Sequence, residues 1–194
     1  MKQTSYQALI IGASAGGLKA MSVILPQLPQ VFPLVVIVVN HRMETPDTYL
    51  TEYLNGICHL PVQDAEHLFP IEPGHIYVAP PGYHLLVADD YCFNLSEDPR
   101  VNSSRPSIDV AFESAADVYG EYLIGVVLTG ANSDGAIGLA EIKANGGYTI
   151  VQDPSEAEAI AMPSAAIKAG KPDFVGSLDQ IARQICVISG VEKV

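Results

Sequence analysis

The chain has 194 residues, 48% hydrophobic and 16% charged, enough apolar material for the core of one globular domain, taken to span residues 1–194. Its formal net charge of -12, with 10 Lys+Arg scattered among 22 Asp+Glu, argues against nucleic acid and anionic membrane surfaces as partners. Three widely spaced cysteines without a C-x-x-C, no signal-peptide core, and no aliphatic run longer than Leu34 to Val39 predict a cytoplasmic chain. The same features predict no disulfide framework, no membrane insertion and no zinc site of the usual spacing.

The apolar segment Tyr6 to Ile11 runs into Gly12-Ala13-Ser14-Ala15-Gly16-Gly17. A helical stripe follows, Leu18, Met21, Ser22 and Leu25, which Pro26 and Pro29 end. Gly12, Ser14 and Gly16 match G-x-S-x-G, in which small neighbours let a sharp turn lift a serine hydroxyl above the strand end. The same residues form a degraded G-x-G-x-x-G dinucleotide loop, whose backbone N–H groups receive a pyrophosphate. Ser14 stands at its second glycine and fills the space that close approach needs, so the serine elbow is the better fit. On this segment alone a glycine-rich turn without chemistry is an equal alternative.

Leu34 to Val39 has no polar alternation, as expected of a parallel strand buried on both faces, and ends in Asn40-His41-Arg42-Met43. Pro46 to Gly56 reads as a helix. From Leu60 to Glu97, Pro61, Pro70, Pro73, Pro80 and Pro81 punctuate short β-prone pieces: His75 to Ala79, His84 to Ala88 and Tyr91 to Leu95. With Asp89-Asp90 as a hairpin turn, this region is predicted to be a small antiparallel insertion or edge. Ser107 is placed to cap a helix from Ile108 to Tyr119. Leu123 to Leu128 repeats the buried-strand texture and ends in Thr129-Gly130-Ala131-Asn132-Ser133-Asp134-Gly135. A helix from Ala136 to Ala144, a strand from Tyr148 to Val151, and helices around Ser164 to Lys168 and Leu178 to Ile188 complete the chain. Strands alternating with helices imply an α/β fold, a doubly wound, Rossmann-like and mostly parallel sheet with helices on both faces. Ligands of such sheets bind at the carboxyl ends of the strands.

Three of those ends are chemically loaded: Ser14, His41 and Asp134. A serine hydroxyl is a weak nucleophile until an imidazole takes its proton, and a carboxylate fixes that imidazole's tautomer. The chain order Ser…His…Asp differs from that of α/β-hydrolases. Alternatives stay open on residues alone. His59, His67, His75 and His84 compete with His41 but lie away from the predicted parallel strand ends. Asp109 and Asp153 compete with Asp134, which as an Asp before Gly also fits a turn or a cap of the 136–144 helix. No histidine pair has metal-ligand spacing, and the aromatics form no stacking platform.

Taken together, these loops resemble the catalytic domain of the CheB-type chemotaxis protein-glutamate methylesterases over nearly the whole chain. Ile11-Gly-Ala-Ser-Ala-Gly-Gly17 resembles the family's serine loop and Asn40-His41-Arg-Met43 its histidine loop. Pro73-Gly74-His-Ile-Tyr77-Val-Ala79-Pro80 and Arg105-Pro-Ser-Ile-Asp109-Val-Ala-Phe112 resemble its intervening blocks. Leu128-Thr-Gly-Ala-Asn-Ser-Asp134-Gly-Ala136 resembles its aspartate loop, and Gln152-Asp153 through Ala161-Met162-Pro163 its closing region. The resemblance implies Ser14 as nucleophile, His41 as general base and acid, and Asp134 as orienting carboxylate. Backbone N–H groups of Ala15, Gly16, Gly17 and Ala131 are the candidate oxyanion donors. It further implies hydrolysis of glutamate γ-methyl esters on methyl-accepting chemotaxis receptors, with deamidation of glutamines at the same sites and no cofactor. The implied partners are the receptors' cytoplasmic helical region and a separate receiver domain or methyltransferase. Departures touch regulation: with the first strand starting almost at residue 1, the expectation is a catalytic domain without a receiver domain ahead of it, either stand-alone or cut from a longer protein. Ala15 stands where Thr is common, Ala131 where Met is common, and Ala161 replaces a Gly. A catalytically silent module that docks on receptors, and a nucleotide-binding loop, are the competing readings.

Overall fold

The computed structural model describes residues 6–41 and 48–192. Strand β1 (Ala8–Ala13) passes through the glycine turn into helix α1 (Gly17–Ile24), and β2 (Val35–Asn40) precedes α2 (Tyr49–Ile57). Two three-residue strands follow, β3 (Val62–Asp64) and β4 (Ile76–Val78), then β5 (His84–Val87) and β6 (Phe93–Ser96). The second half runs α3 (Ile108–Tyr119), β7 (Leu123–Val127), α4 (Ala136–Ala144), β8 (Tyr148–Gln152), α5 (Ala161–Gly170), β9 (Phe174–Gly176) and α6 (Leu178–Ile188). Seven strands form one parallel sheet in the order β3-β4-β2-β1-β7-β8-β9, and β5 pairs with β6 as a separate antiparallel hairpin. This is the doubly wound α/β architecture expected from the alternating pattern.

The unbroken apolar runs are explained by burial on both faces. In β1, Leu9, Ile11 and Ala13 point into one core layer while Ala8 and Ile10 point into the other. The first layer receives Met21 and Ile24 of α1, Leu50 and Leu54 of α2 and Ile181 and Ile185 of α6. The second receives α3, α4 and α5 together with Leu85, Val87 and Phe93 of the hairpin. Each fully buried Leu, Ile or Val stabilises the fold by about 1.5–3 kcal/mol relative to exposure, so the central strands anchor whatever their ends carry.

Several local expectations hold to the residue. Ser107 caps α3, its Oγ accepting the Val110 N–H at 3.4 Å, and α4 and α6 span the predicted ranges. Asp89 and Asp90 sit in the turn of the β5–β6 hairpin. Other boundaries moved. The antiparallel part of the 60–97 region is narrower than the proline spacing suggested, because β4 joins the main sheet parallel to β2 and carries β3 at its edge. Strand β9 and the strand character of β3 are too short to show a period. Along α1, Ala20 and Ile24 share the buried face with Met21, and Ser22 is only half-buried. Arg42, Met43 and Pro46, which belong to the predicted histidine loop and helix start, lie outside the described residues.

Candidate active site

After β1 the chain goes to β2 on one side, and it later returns as β7 on the other. The carboxyl ends of β2, β1 and β7 therefore lie side by side at the topological switch point, where ligands of such sheets bind. Main-chain pairing continues past the strands: His41 N–H donates to Ala13 O at 3.1 Å, Leu128 N–H to Gly12 O at 2.9 Å and Ser14 N–H to Thr129 O at 2.9 Å. Ser14, His41 and the Asp134 loop thus leave three adjacent strands at one level.

His41 and Asp134 meet. The imidazole Nε2 lies 2.7 Å from Asp134 Oδ2, with the carboxylate fully buried and the histidine side chain 12% exposed. A carboxylate can only accept, so this contact places the Nε2–H proton and leaves Nδ1 as the acceptor. Near Nδ1 stand Ser104 Oγ at 3.4 Å and Asn132 Nδ2 at 3.5 Å. No hydrogen bond joins Ser14 Oγ to His41 among the described residues. Ser14 lines a cavity of about 510 Å³ with Gly16, Gly17, Leu18, Asn40, Tyr49, Tyr53 and Glu158. The two tyrosine rings stack at 6.0 Å.

Asp134 does not cap the helix that follows it; Gly135, at φ 88°, occupies that position with no side-chain cap. Its carboxylate is instead plugged into the N-terminus of α3. Oδ2 accepts from Ile108 N–H at 2.7 Å, and Oδ1 from Ser107 Oγ at 2.9 Å, Asn102 Nδ2 at 3.0 Å and Asp109 N–H at 3.2 Å. A helix N-terminus presents free N–H groups and the positive end of the helix dipole, which suits an anion. Burial pushes the Asp134 carboxyl up, but the bonds from His41, Asn102 and the α3 backbone outweigh it and hold the pKa at about 2.

This depression makes a pH prediction. The folded value lies below the roughly 3.9 of an unfolded aspartate, so the folded protein binds fewer protons between the two. Asp134 therefore contributes stability that is complete above about pH 4 and is lost as pH falls toward 2. Between about pH 5 and pH 3, the melting temperature of the parent should fall more steeply than that of Asp134→Asn. Equal slopes would show that the carboxylate is not held ionised by these donors.

Five of the six rival residues have other work, His59 being the exception. His84 is buried, its Nδ1 accepting Ser107 N–H at 3.2 Å and its Nε2 lying 3.1 Å from Pro99 O, so it supports the α3 cap. His67 Nδ1 accepts Leu95 N–H at 3.2 Å, and His75 stacks on Tyr77 at 5.9 Å. Asp153 accepts Ser155 N–H in the turn after β8. Asp109 is buried beside Asp134, taking Asn102 Nδ2 at 2.8 Å and Gly138 N–H at 2.8 Å. Burial pushes its carboxyl up, and the neighbouring Asp134 charge adds to this against the Gly138 bond.

Residues not singled out by sequence complete the site. Asn102 and Ser104 sit on a tight loop in which Asn102 and Ser103 adopt left-handed φ of 49° and 63°. Thr129 Oγ1 donates to Ala15 O at 2.8 Å and accepts Ala159 N–H at 2.8 Å, tying the serine loop to the 159–162 segment. Met162 packs against Gly130, where an added Cβ would lie 2.6 Å from its sulfur, which gives the Met-Pro motif a structural role under the Asp134 loop. Gly17 N–H is committed to Ser14 O at 2.8 Å, whereas the Ala15, Gly16 and Ala131 N–H groups donate to no group among the described residues. No cluster of three or more His, Cys, Asp or Glu fit to hold a metal occurs among the described residues, and none of their helices is long and apolar enough to cross a membrane.

A histidine–carboxylate pair at the switch point of a doubly wound sheet, with a serine on the glycine turn of the neighbouring strand, defines the class: a doubly wound α/β protein with its polar site at the strand ends. Residues 9–185 match the CheB methylesterase family model, and the chain belongs to that family. It is 50% identical over 178 residues to a Leptospira interrogans protein, covering 92% of each chain. It is 40% identical over 185 residues to the protein-glutamate methylesterase/protein-glutamine glutaminase of Paraburkholderia xenovorans, 94% of this chain but 51% of that one. The CheB methylesterase catalytic domain of Thermotoga maritima superposes with a TM-score of 0.88 at 31% identity, covering 96% of this chain and all of that one.

Proposed function

We propose that this chain is a serine hydrolase that removes γ-methyl esters from glutamates in the cytoplasmic helical region of methyl-accepting chemotaxis receptors. It also deamidates glutamines at such sites. The observation that carries the mechanism is the 2.7 Å contact between His41 Nε2 and the buried Asp134 carboxylate, at strand ends flanking that of Ser14. With Nε2–H held by Asp134, His41 Nδ1 takes the proton as Ser14 Oγ attacks the ester carbonyl. The Ser14–His41 bond forms as substrate enters, as catalytic hydrogen bonds often tighten only in the complex. Methanol leaves with that proton, and a water activated by His41 then frees the glutamate carboxylate from the acyl-enzyme. The negative charge on the tetrahedral oxygen is met by the uncommitted N–H groups of Ala15, Gly16 and Ala131. Tyr49, Tyr53 and Leu18 wall the groove along which the flanking receptor segment lies.

The family membership supports the esterase over a silent docking module. The test is methanol release from a methylated receptor cytoplasmic fragment, run beside labelling by a serine-directed phosphonate. Release of methanol together with phosphonate mapped to Ser14 is the expected outcome. A folded protein that neither labels at Ser14 nor releases methanol would overturn the reading. Control by a separate receiver domain or a methyltransferase partner belongs to the same proposal, and predicts that such a partner changes the rate without changing the labelled residue.

A further inference from the structure

The groove beside Ser14 carries a carboxylate that the chemistry above does not use. Glu158, on the segment leading into α5, folds directly over the glycine turn: a Cβ built on Gly16 would stand 2.8 Å from Glu158 Cβ and 3.2 Å from its Oε2. The same side chain lines the 510 Å³ cavity with Ser14 and Gly16. Lys19 also lines that cavity, but no ion pair within 4.0 Å joins it or another described cation to Glu158. The segment is held in place by Ala159 N–H on Thr129 Oγ1 at 2.8 Å and by Gly130 N–H on Ala159 O at 3.0 Å. A carboxylate with no ion pair among the described residues thus lines the nucleophile's groove.

We propose that Glu158 is a specificity-determining residue that separates the neutral substrate from its anionic product; this rests on the functional reading given above. An ester and a water become a carboxylate, a methanol and a proton, so the reacting side chain changes from neutral to a charge of minus one. Uniform contacts to the receptor segment hold both forms equally, and an enzyme that binds its product as well as its substrate becomes product-inhibited. A like charge at the groove mouth breaks that tie. It leaves the ester or amide form almost untouched and repels the carboxylate form, which speeds release and keeps already hydrolysed receptors from occupying the site.

The test compares the parent with Glu158→Gln, which keeps the size and hydrogen-bonding reach of the side chain, and with Glu158→Lys. Methanol release from the methylated receptor fragment is measured with increasing amounts of the demethylated fragment as inhibitor. In Glu158→Gln the inhibition constant of the demethylated fragment should tighten about two- to tenfold, and further in Glu158→Lys. KM for the methylated fragment should change by less than about twofold, because that ligand is neutral at the reacting position. The difference between variants should shrink as ionic strength rises from about 0.05 to 0.5 M. A residue with only a structural role would move KM and product inhibition together and show no salt dependence. The same inhibition constant in all three proteins, with methanol release continuing, would overturn the role of Glu158 alone. No methanol release by the folded parent would overturn the functional reading itself, and this inference with it.

Discussion

Replacing Ser14 or His41 by alanine should abolish methanol release from a methylated receptor fragment, lowering turnover by about a millionfold. Asp134→Asn should lower it about 10,000-fold. The sizes differ because the roles differ. In the proposed mechanism Ser14 Oγ makes the covalent bond and His41 moves the proton, so loss of either stops the same step. Asp134 acts through the imidazole: an amide in its place can present its NH₂ to Nε2, which favours the tautomer with the proton on Nδ1, where it blocks acceptance from the serine. Folding has to be checked alongside, since the three substitutions load the structure unequally. Ser14 Oγ holds no hydrogen bond among the described residues, so Ser14→Ala should melt with the parent. The Asp134 carboxylate accepts five donors, at 2.7 to 3.2 Å. An amide cannot satisfy all of them and leaves buried donors unpaired, at about 1–3 kcal/mol. Ser104→Ala provides the discriminating control, because Ser104 Oγ is the hydroxyl within 3.4 Å of His41 Nδ1. Turnover should fall less than about tenfold there; a loss as deep as that of Ser14→Ala would transfer the nucleophile to Ser104.

Gly138→Val should destabilise the protein by about 3 kcal/mol, the largest stability effect expected from a single small-residue change near the site. At Gly138, α4 crosses α3 with no room for a side chain. An added Cβ would meet Phe112 Cβ at 2.5 Å, Asp109 O at 3.0 Å and Asp109 Cα at 3.1 Å. Two of these are main-chain atoms of a helix whose other face is packed in the core, so α4 has to move. Movement also stretches the 2.8 Å bond from Gly138 N–H to the buried Asp109 carboxylate. For a chain of this size, 3 kcal/mol corresponds to a drop in Tm of about 10 °C. Gly56→Ala, on α2 with open space around its Cα, is the matched control and should be neutral or slightly stabilising. Denaturant melts that place Gly138→Val within about 1 kcal/mol of the parent would show that the two helices slide apart freely.

The central architecture was legible because its signals are long and redundant. Leu34 to Val39 and Leu123 to Leu128 are apolar without alternation, which only a doubly covered strand explains, and Ser107 announces α3 by cap chemistry. β9 escaped because Phe174-Val175-Gly176 is too short for a period. β4 was misassigned to the antiparallel region because its prolines, which punctuate a parallel edge here, equally suit a hairpin. At the site, the three strand-end residues could be read because each closes a strand and belongs to a motif. Asn102 and Ser104 could not. Their positions depend on two successive non-glycine residues in left-handed backbone, a conformation that their identities do not declare. Nor could the destination of Asp134 be read. An Asp before Gly usually serves the helix that follows, and only the tertiary structure brings the N-terminus of α3 closer to its carboxylate. Glu158 likewise reaches the groove from a distant segment through the Thr129 and Gly130 contacts.

The sheet ends in strands of only three residues on both sides, β3 at one margin and β9 at the other. A margin that short exposes few unpaired main-chain groups and gives a neighbouring molecule little to add a strand to. Self-association through sheet extension is therefore discouraged at both flanks, and the formal charge of -12 adds mutual repulsion between copies. The longer apolar strands that lead to Ser14, His41 and the Asp134 loop are all interior. The apolar sequence that builds the central strands is thereby kept from becoming a liability at high local concentration.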